Sequence, residues 1–333
     1  MANIFPTLRA QIKDGRRLRR AARLLNQRSN YPTELPNPDA RPLDAKRLEE
    51  LDQIQTLGIF LGPYRNLTSL IAAVLFLHPH SQVLNHAGPR LLDRREYDFL
   101  RQHNADRFSQ FMHEALRISE GGARGTYGGS ILLAHSFADH PRMQSIYRKR
   151  YAWATRKDQI DSLIWKESQM VTQILRANEN RIHELVRQNR KLRFILPIRN
   201  PIDCANSLQR LKMSRIYGEQ TSGSLESIID LILDDFKWFL ELENRYPEQF
   251  FHFFQNSFDA EMLEQLETFL KLPHDEQWVH DALSIYRLRK PYQHEEQIVA
   301  HYENRIEALF GKGTAMYSKF LSLNAATAEE TGA

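Results

Sequence analysis

Five short apolar runs dominate the reading of this chain: TLGIFLG (56–62), SQVLNH (81–86), SLIWK (162–166), LRFILPI (192–198) and QFFHFF (249–254). Between them lie segments such as MVTQILRANENRIHELVRQ and SLESIIDLILDDFKWFLELENRY, whose apolar residues recur at three- and four-residue spacing. Strand-like runs alternating with helical ones are the signature of a parallel sheet covered by helices, because parallel neighbours need a crossover. The expected fold class is therefore α/β, with the main domain spanning 51–322.

The flanks read differently. Residues 1–30 hold Arg16, Arg17, Arg19, Arg20 and Arg23 and are expected to form a basic helical arm. Its bland reading is a solvated amphipathic helix; an anionic partner is the sharper one. Residues 31–50 form a connector whose YPTELPNPDARPLD stretch carries four prolines. The small, polar end of the chain, 323–333, is expected to be a disordered tail. The net charge is only +4, with 26% charged residues, and no aromatic RNA-binding motif or zinc-finger spacing appears, so no nucleic-acid partner is expected. No stretch has the uninterrupted apolar length of a membrane span, and one cysteine, Cys204, excludes an internal disulfide and a cysteine-clustered zinc site. A reducing, cytoplasmic location is expected, and oligomeric state is not readable.

The first apolar run feeds LGPYRNLTSLIAAVLFL, a strand, a loop and a helix in immediate succession. Backbone N–H groups at a helix N-terminus bind phosphate without particular side chains. Thr68 and Ser69 add hydroxyls at the first turn and Arg65 a guanidinium fork. A Mg-nucleotide enzyme normally adds a Gly-Lys pair here and an acidic residue after a second strand. In this chain the run LRFILPI ends instead in Arg199, followed by Asn200 and Pro201, with Ser207 two helical turns on. Two anion sites at the C-terminal ends of parallel strands suit a ligand with two separated phosphates and no obligatory metal.

This pair of motifs resembles the signature of sulfotransferases that use 3′-phosphoadenosine 5′-phosphosulfate (PAPS). Their first loop typically reads G-x-P-[RK]-S-G-T-T-L-L, and Gly62, Arg65, Thr68 and Leu70 match it without a gap, with Ser69 a close substitute. Their second motif, R-[DN]-P-x-[DE]-x-x-x-S after an apolar strand, is met by Arg199, Asn200, Pro201, Asp203 and Ser207. A late strand, helix and Phe-Leu-x-Leu-Pro element is similar to EQFFHFFQNSFDAEMLEQLETFLKLPHD. The departures are Tyr64 for proline and Asn66-Leu67 for Ser-Gly, which make the loop less permissive of close backbone approach.

The resemblance implies a three-layer P-loop-like sheet and sulfuryl transfer from PAPS to an acceptor hydroxyl or amine, with adenosine 3′,5′-bisphosphate (PAP) as product. Arg65, Thr68 and Ser69 would hold the 5′-phosphosulfate, with Asn66 in the donor-binding set. Arg199 and Ser207 would hold the 3′-phosphate, and Arg289 and Lys290 lie where relatives add basic contacts to it. His86, close to a base position of relatives, is the candidate base, with a packed or surface ring as its alternative. Lys166 would stabilise the transferring group beside Arg65, and Glu167 is a fallback base; a salt bridge is the competing account of these charges. The acceptor is open, with carbohydrate or small metabolite as candidates. SEGGARGTYGGS (119–130), with five glycines, reads as a loop, either an active-site lid or a surface crossing. His78 and His80 lack the further ligand a metal would need. A nucleotide kinase and a non-catalytic nucleotide-binding protein stand as alternatives.

Overall fold

The computed structural model describes residues 34–35, 45–125, 127–213, 223–287 and 293–329. The basic arm at 1–30 lies outside the described residues, as do Arg289 and Lys290.

Eight strands are described: β1 (Glu34–Leu35), β2 (Thr56–Phe60), β3 (Ser81–Asn85), β4 (Gly122–Ala123), β5 (Gly129–Ser130), β6 (Ser162–Lys166), β7 (Leu192–Ile198) and β8 (Phe250–Phe254). Six of them form one sheet in the order β5-β3-β6-β2-β7-β8. Every pairing in it is parallel except β3 with β5. The five apolar runs read from the sequence are β2, β3, β6, β7 and β8.

Consecutive residues of the central strands serve opposite layers. Ile59, Leu163, Trp165, Phe194 and Leu196 pack into one apolar core, while Phe60, Ile164 and Ile195 pack into the other. A strand buried on both faces has no solvent side, which is why these sequences do not alternate with polar residues. The first core is closed by helices that include Ala105–Ser119, Glu179–Gln188 and Leu225–Arg245, and the second by Thr68–Phe76, Pro141–Tyr151 and Glu276–Ile285. The result is the three-layer, P-loop-like α/β arrangement. No helix among the described residues is long and apolar enough to cross a membrane.

Chain order and sheet order together locate the site. After β2 the chain crosses to β3 on one side, and after β6 it crosses over β2 to β7 on the other. A crevice therefore opens at the C-terminal ends of β2, β6 and β7, the place where such sheets bind ligands.

Two sequence expectations change, and the end of the connector takes a definite form. The Gly-rich segment is not all loop: β4 pairs with β1 through Glu34↔Ala123, and β5 pairs with β3 through Leu84↔Ser130. A two-residue strand is too short to show a hydrophobic period, so glycine content hid it. The connector's last residues, after the proline-bearing stretch, begin the helix Ala45–Gln53. The last helix runs Ala315–Glu329 with Phe320 and Leu323 buried, so helix continues past residue 323 into the stretch read as a tail.

At the opposite border of the sheet, β8 carries the sequence FFHFF. Its His252 N–H donates to Glu243 Oε1 of the Leu225–Arg245 helix at 3.0 Å, and the His252 ring meets the second oxygen of the same carboxylate.

Candidate functional site

The loop after β2 turns sharply. Gly62 has φ +93°, the left-handed region that favours glycine, and a Cβ there would also press on Leu196 Cδ1 at 2.5 Å. Its N–H donates to Thr172 Oγ1 at 2.8 Å. Further on, Arg65 (φ 70°) and Leu67 (φ 60°) are both left-handed, flanking Asn66. Such alternation turns successive N–H groups toward one concavity, an anion-binding backbone form. Leu67 thus holds, as a leucine, the conformation for which the resembling motif supplies glycine. Non-glycine residues in that region cost about 1–3 kcal/mol each and persist where surrounding structure holds them. Thr68 and Ser69 follow as the first residues of the helix Thr68–Phe76, ahead of its first bonds, those of Leu70 N and Ile71 N to the Leu67 carbonyl at 2.9 and 3.0 Å.

Asn66 is what holds the loop. It is fully buried; its amide donates to the Pro197 carbonyl of β7, and its Oδ1 accepts from Arg199 N at 2.9 Å. The Asn66 side chain, expected in the donor-binding set, ties the first loop to the second strand. Arg65 Nε donates to Ser207 Oγ at 2.9 Å, and Arg199 Nη1 donates to the Arg65 carbonyl at 3.1 Å. Arg65, Arg199 and Ser207, 142 residues apart at the extremes, therefore form one cluster. Asn200 caps the helix Pro201–Arg210, its side chain accepting from Ile202 N at 2.9 Å. Asp203 lies 3.5 Å from Arg199 Nη2 and 2.9 Å from His294 Nε2. Burial opposes protonation of His294, but its contacts with Asp203 and Asn324 outweigh this and raise its pKa. Cys204 is packed behind the loop, with its thiol donating to the Tyr64 carbonyl at 3.2 Å and burial pushing its pKa up to about 12.

On the other side, β3 and β6 deliver His86 and Lys166. Both His86 (φ 59°) and Ala87 (φ 80°) are left-handed. That turn is pinned by His86 N donating to the Lys166 carbonyl at 3.0 Å and Trp165 Nε1 donating to the His86 carbonyl at 2.8 Å. Lys166 Nζ lies 2.9 Å from His86 Nε2, and His86 Nδ1 lies 3.5 Å from Glu167 Oε1. An ammonium has no lone pair, so a donating Lys166 assigns the ring lone pair to Nε2 and its proton to Nδ1, facing the carboxylate.

Burial lowers the His86 pKa, with the Lys166 charge acting in the same sense and Glu167 opposing. Burial also pulls Lys166 down to about 8; the Glu167 charge opposes this and the Arg65 charge adds to it. Glu167 is itself fully buried, which would raise its pKa, but His86, the Tyr127 hydroxyl and the Lys166 charge outweigh burial and hold it low. Its carboxylate accepts from Tyr127 Oη at 2.6 Å, from Gly88 N at 3.2 Å and from Tyr64 Oη at 3.4 Å. Burial and the same carboxylate push the Tyr64 phenol up to about 12.

The structure thus brings together every described site residue expected from sequence, in two groups joined by Arg65. Sequence reasoning missed Tyr64, Tyr127, Thr172 and His294, and it undervalued Glu167. A tyrosine in a glycine-rich stretch carries no local signal that it will reach a carboxylate 40 residues away. His78 is occupied elsewhere, against Pro273 O at 3.0 Å and Glu267 at 3.4 Å, and the described residues contain no group of three or more potential metal ligands.

No family model matches the sequence, and no curated protein matches it. Among solved structures, the chain is similar to the sulfotransferase domain from the curacin biosynthetic pathway, at 13% identity and a TM-score of 0.35, covering 82% of this chain and 98% of that one. It is also similar to sulfotransferase STF9 from Mycobacterium avium, at 14% identity and a TM-score of 0.38, covering 83% of this chain and 79% of that one. With likeness at that level, the chemistry has to be argued from the side chains.

Proposed function

We propose that this protein is a sulfotransferase that moves a sulfuryl group from PAPS to an acceptor hydroxyl or amine. The observation that carries the reading is the single cluster of Arg65, Arg199 and Ser207 at the ends of β2 and β7, with Lys166 and His86 beside it at the ends of β6 and β3. Cations and hydroxyls meet there, where an enzyme of metal-bound nucleotides would carry a carboxylate at the second strand end.

In this reading the loop N–H groups, Arg65, Thr68 and Ser69 hold the 5′-phosphosulfate, and Arg199 and Ser207 hold the 3′-phosphate. His86, kept neutral by burial, takes the acceptor proton on Nε2. Lys166 leaves that nitrogen for the oxygens on which negative charge grows as the sulfur–oxygen bond to phosphate breaks. Glu167 stabilises the imidazolium that results, through Nδ1.

Calorimetric titration with PAP, set against ATP plus magnesium, tests the reading. PAP is expected to bind, and Arg199→Ala to weaken it by about 10- to 100-fold, the value of charge-assisted hydrogen bonds to a phosphate. Binding of Mg-ATP alone would overturn the reading in favour of a phosphoryl transferase.

A further inference from the structure

The Gly-rich segment places one side chain squarely over the His86 group. The Tyr127 ring stacks on the His86 ring, centroids 4.8 Å apart and planes 29° from parallel. Its hydroxyl donates to Glu167 Oε2 at 2.6 Å. The approach is built into the backbone: Gly128 has φ +99°, and a Cβ there would fall 2.7 Å from Ala87 Cβ and 2.9 Å from Ala87 Cα. β5 then fastens the segment to the edge of β3 through Leu84↔Ser130 and Asn85↔Gly129, immediately before His86. Tyr127 is nevertheless 45% exposed, so its outer face meets solvent and the ring can leave without opening either apolar core.

A flat ring on the imidazole and a hydroxyl proton on the carboxylate are contacts that an incoming hydroxyl compound would otherwise make. We propose that Tyr127 is the resident occupant of the acceptor's seat, a positioning residue that shields His86 and Glu167 and is displaced when an acceptor enters. The proposal rests on the reading of His86 as the group the acceptor meets. The hydroxyl is the latch, because the Glu167 carboxylate has no route to solvent and offers the phenol a charged partner. The ring is the shield, because it lies on one face of the imidazole and leaves the His86 side chain only 24% exposed.

Diethyl pyrocarbonate labelling of individual histidines, followed by peptide mass spectrometry at neutral pH, reads this directly and needs neither donor nor acceptor. In the unaltered protein His86 is expected to react slowly, with His135, whose side chain is 85% exposed, as the internal standard. Tyr127→Phe keeps the ring and loses the latch; His86 labelling should rise about tenfold, the change in open population that one hydrogen bond to a charged group represents. Tyr127→Ala should raise it further, with His135 unchanged in both. Equal His86 labelling in all three proteins would overturn the proposal, and a rise in Tyr127→Ala alone would remove the latch from it. Failure of PAP to bind the unaltered protein would end the donor reading while leaving the labelling result intact, so the two failures are distinguishable.

Discussion

The two halves of the crevice solve different problems. At the ends of β2 and β7, the chain holds a row of N–H groups open by placing strained backbone at Arg65 and Leu67 and fastening it through one buried amide, Asn66. At the ends of β3 and β6, four ionisable groups, His86, Lys166, Glu167 and Tyr127, crowd together, and each displaces its neighbours' pKa values. The first half is a backbone device with side-chain supports, the second a side-chain device on a backbone hinge. Binding of a fixed anion needs shape, which the first supplies. Moving a proton needs groups poised between two charge states, and a crowded, buried set supplies that.

If the halves are separable in this way, changes in one should spare the other. The largest effect is expected from His86→Gln. PAP release from PAPS in the presence of acceptor should fall by about 10²- to 10⁴-fold, the usual worth of a general base, while PAP affinity by calorimetry stays within about twofold. A parallel loss of PAP affinity would break the division. Next comes Asn66→Ala, which leaves the Pro197 carbonyl and the Arg199 N–H without their partner. Urea unfolding should show a loss of about 2 kcal/mol, together with weaker PAP binding and an unaltered His86 environment. An unmoved midpoint would remove Asn66 from its place as the tether.

The smallest of these effects, and the one that sharpens the comparison, is the pH profile. His86 must be neutral to accept a proton and its pKa is lowered, so activity should hold below the ordinary imidazole value of about 6.5. Lys166 must be charged, so activity should decline as pH rises through about 8. Each limb should fall roughly tenfold per pH unit. PAP binding depends on guanidinium groups and should be flat above about pH 7, where the ligand's phosphate monoesters are fully ionised; a binding curve that followed the Lys166 limb would join the halves into one site.

The β2–β7 half was legible in the sequence because its information is local. A strand, a turn with Gly62, a helix start with Thr68 and Ser69, and Arg199-Asn200-Pro201 after a second strand are contiguous words whose meaning depends on hydrogen-bonding geometry within a few residues. Even there, the partner of the Asn66 side chain was not legible: it is the Pro197 carbonyl, 131 residues away. The β3–β6 half was legible only as isolated candidates. His86 and Lys166 could be placed at strand ends, but their contact depends on β3 and β6 pairing in register, Asn85 beside Lys166. Tyr127 was illegible because its place depends on β5, and a Gly-Ser strand has no pattern to read. Thr172 and His294 failed for the same reason: each serves a partner that only the folded sheet brings near.

One feature far from the crevice bears on the chain's life outside the test tube. FFHFF at a sheet border, dense in aromatic and free of charge apart from one imidazole, has the composition that recruits a second chain by strand addition and grows into insoluble aggregates. The Glu243 carboxylate sits on the His252 N–H, occupying a donor that an incoming strand would use. A helix that closes the core thus also covers a donor of the border strand, so the same packing that buries Leu225–Arg245 against β8 blunts the edge.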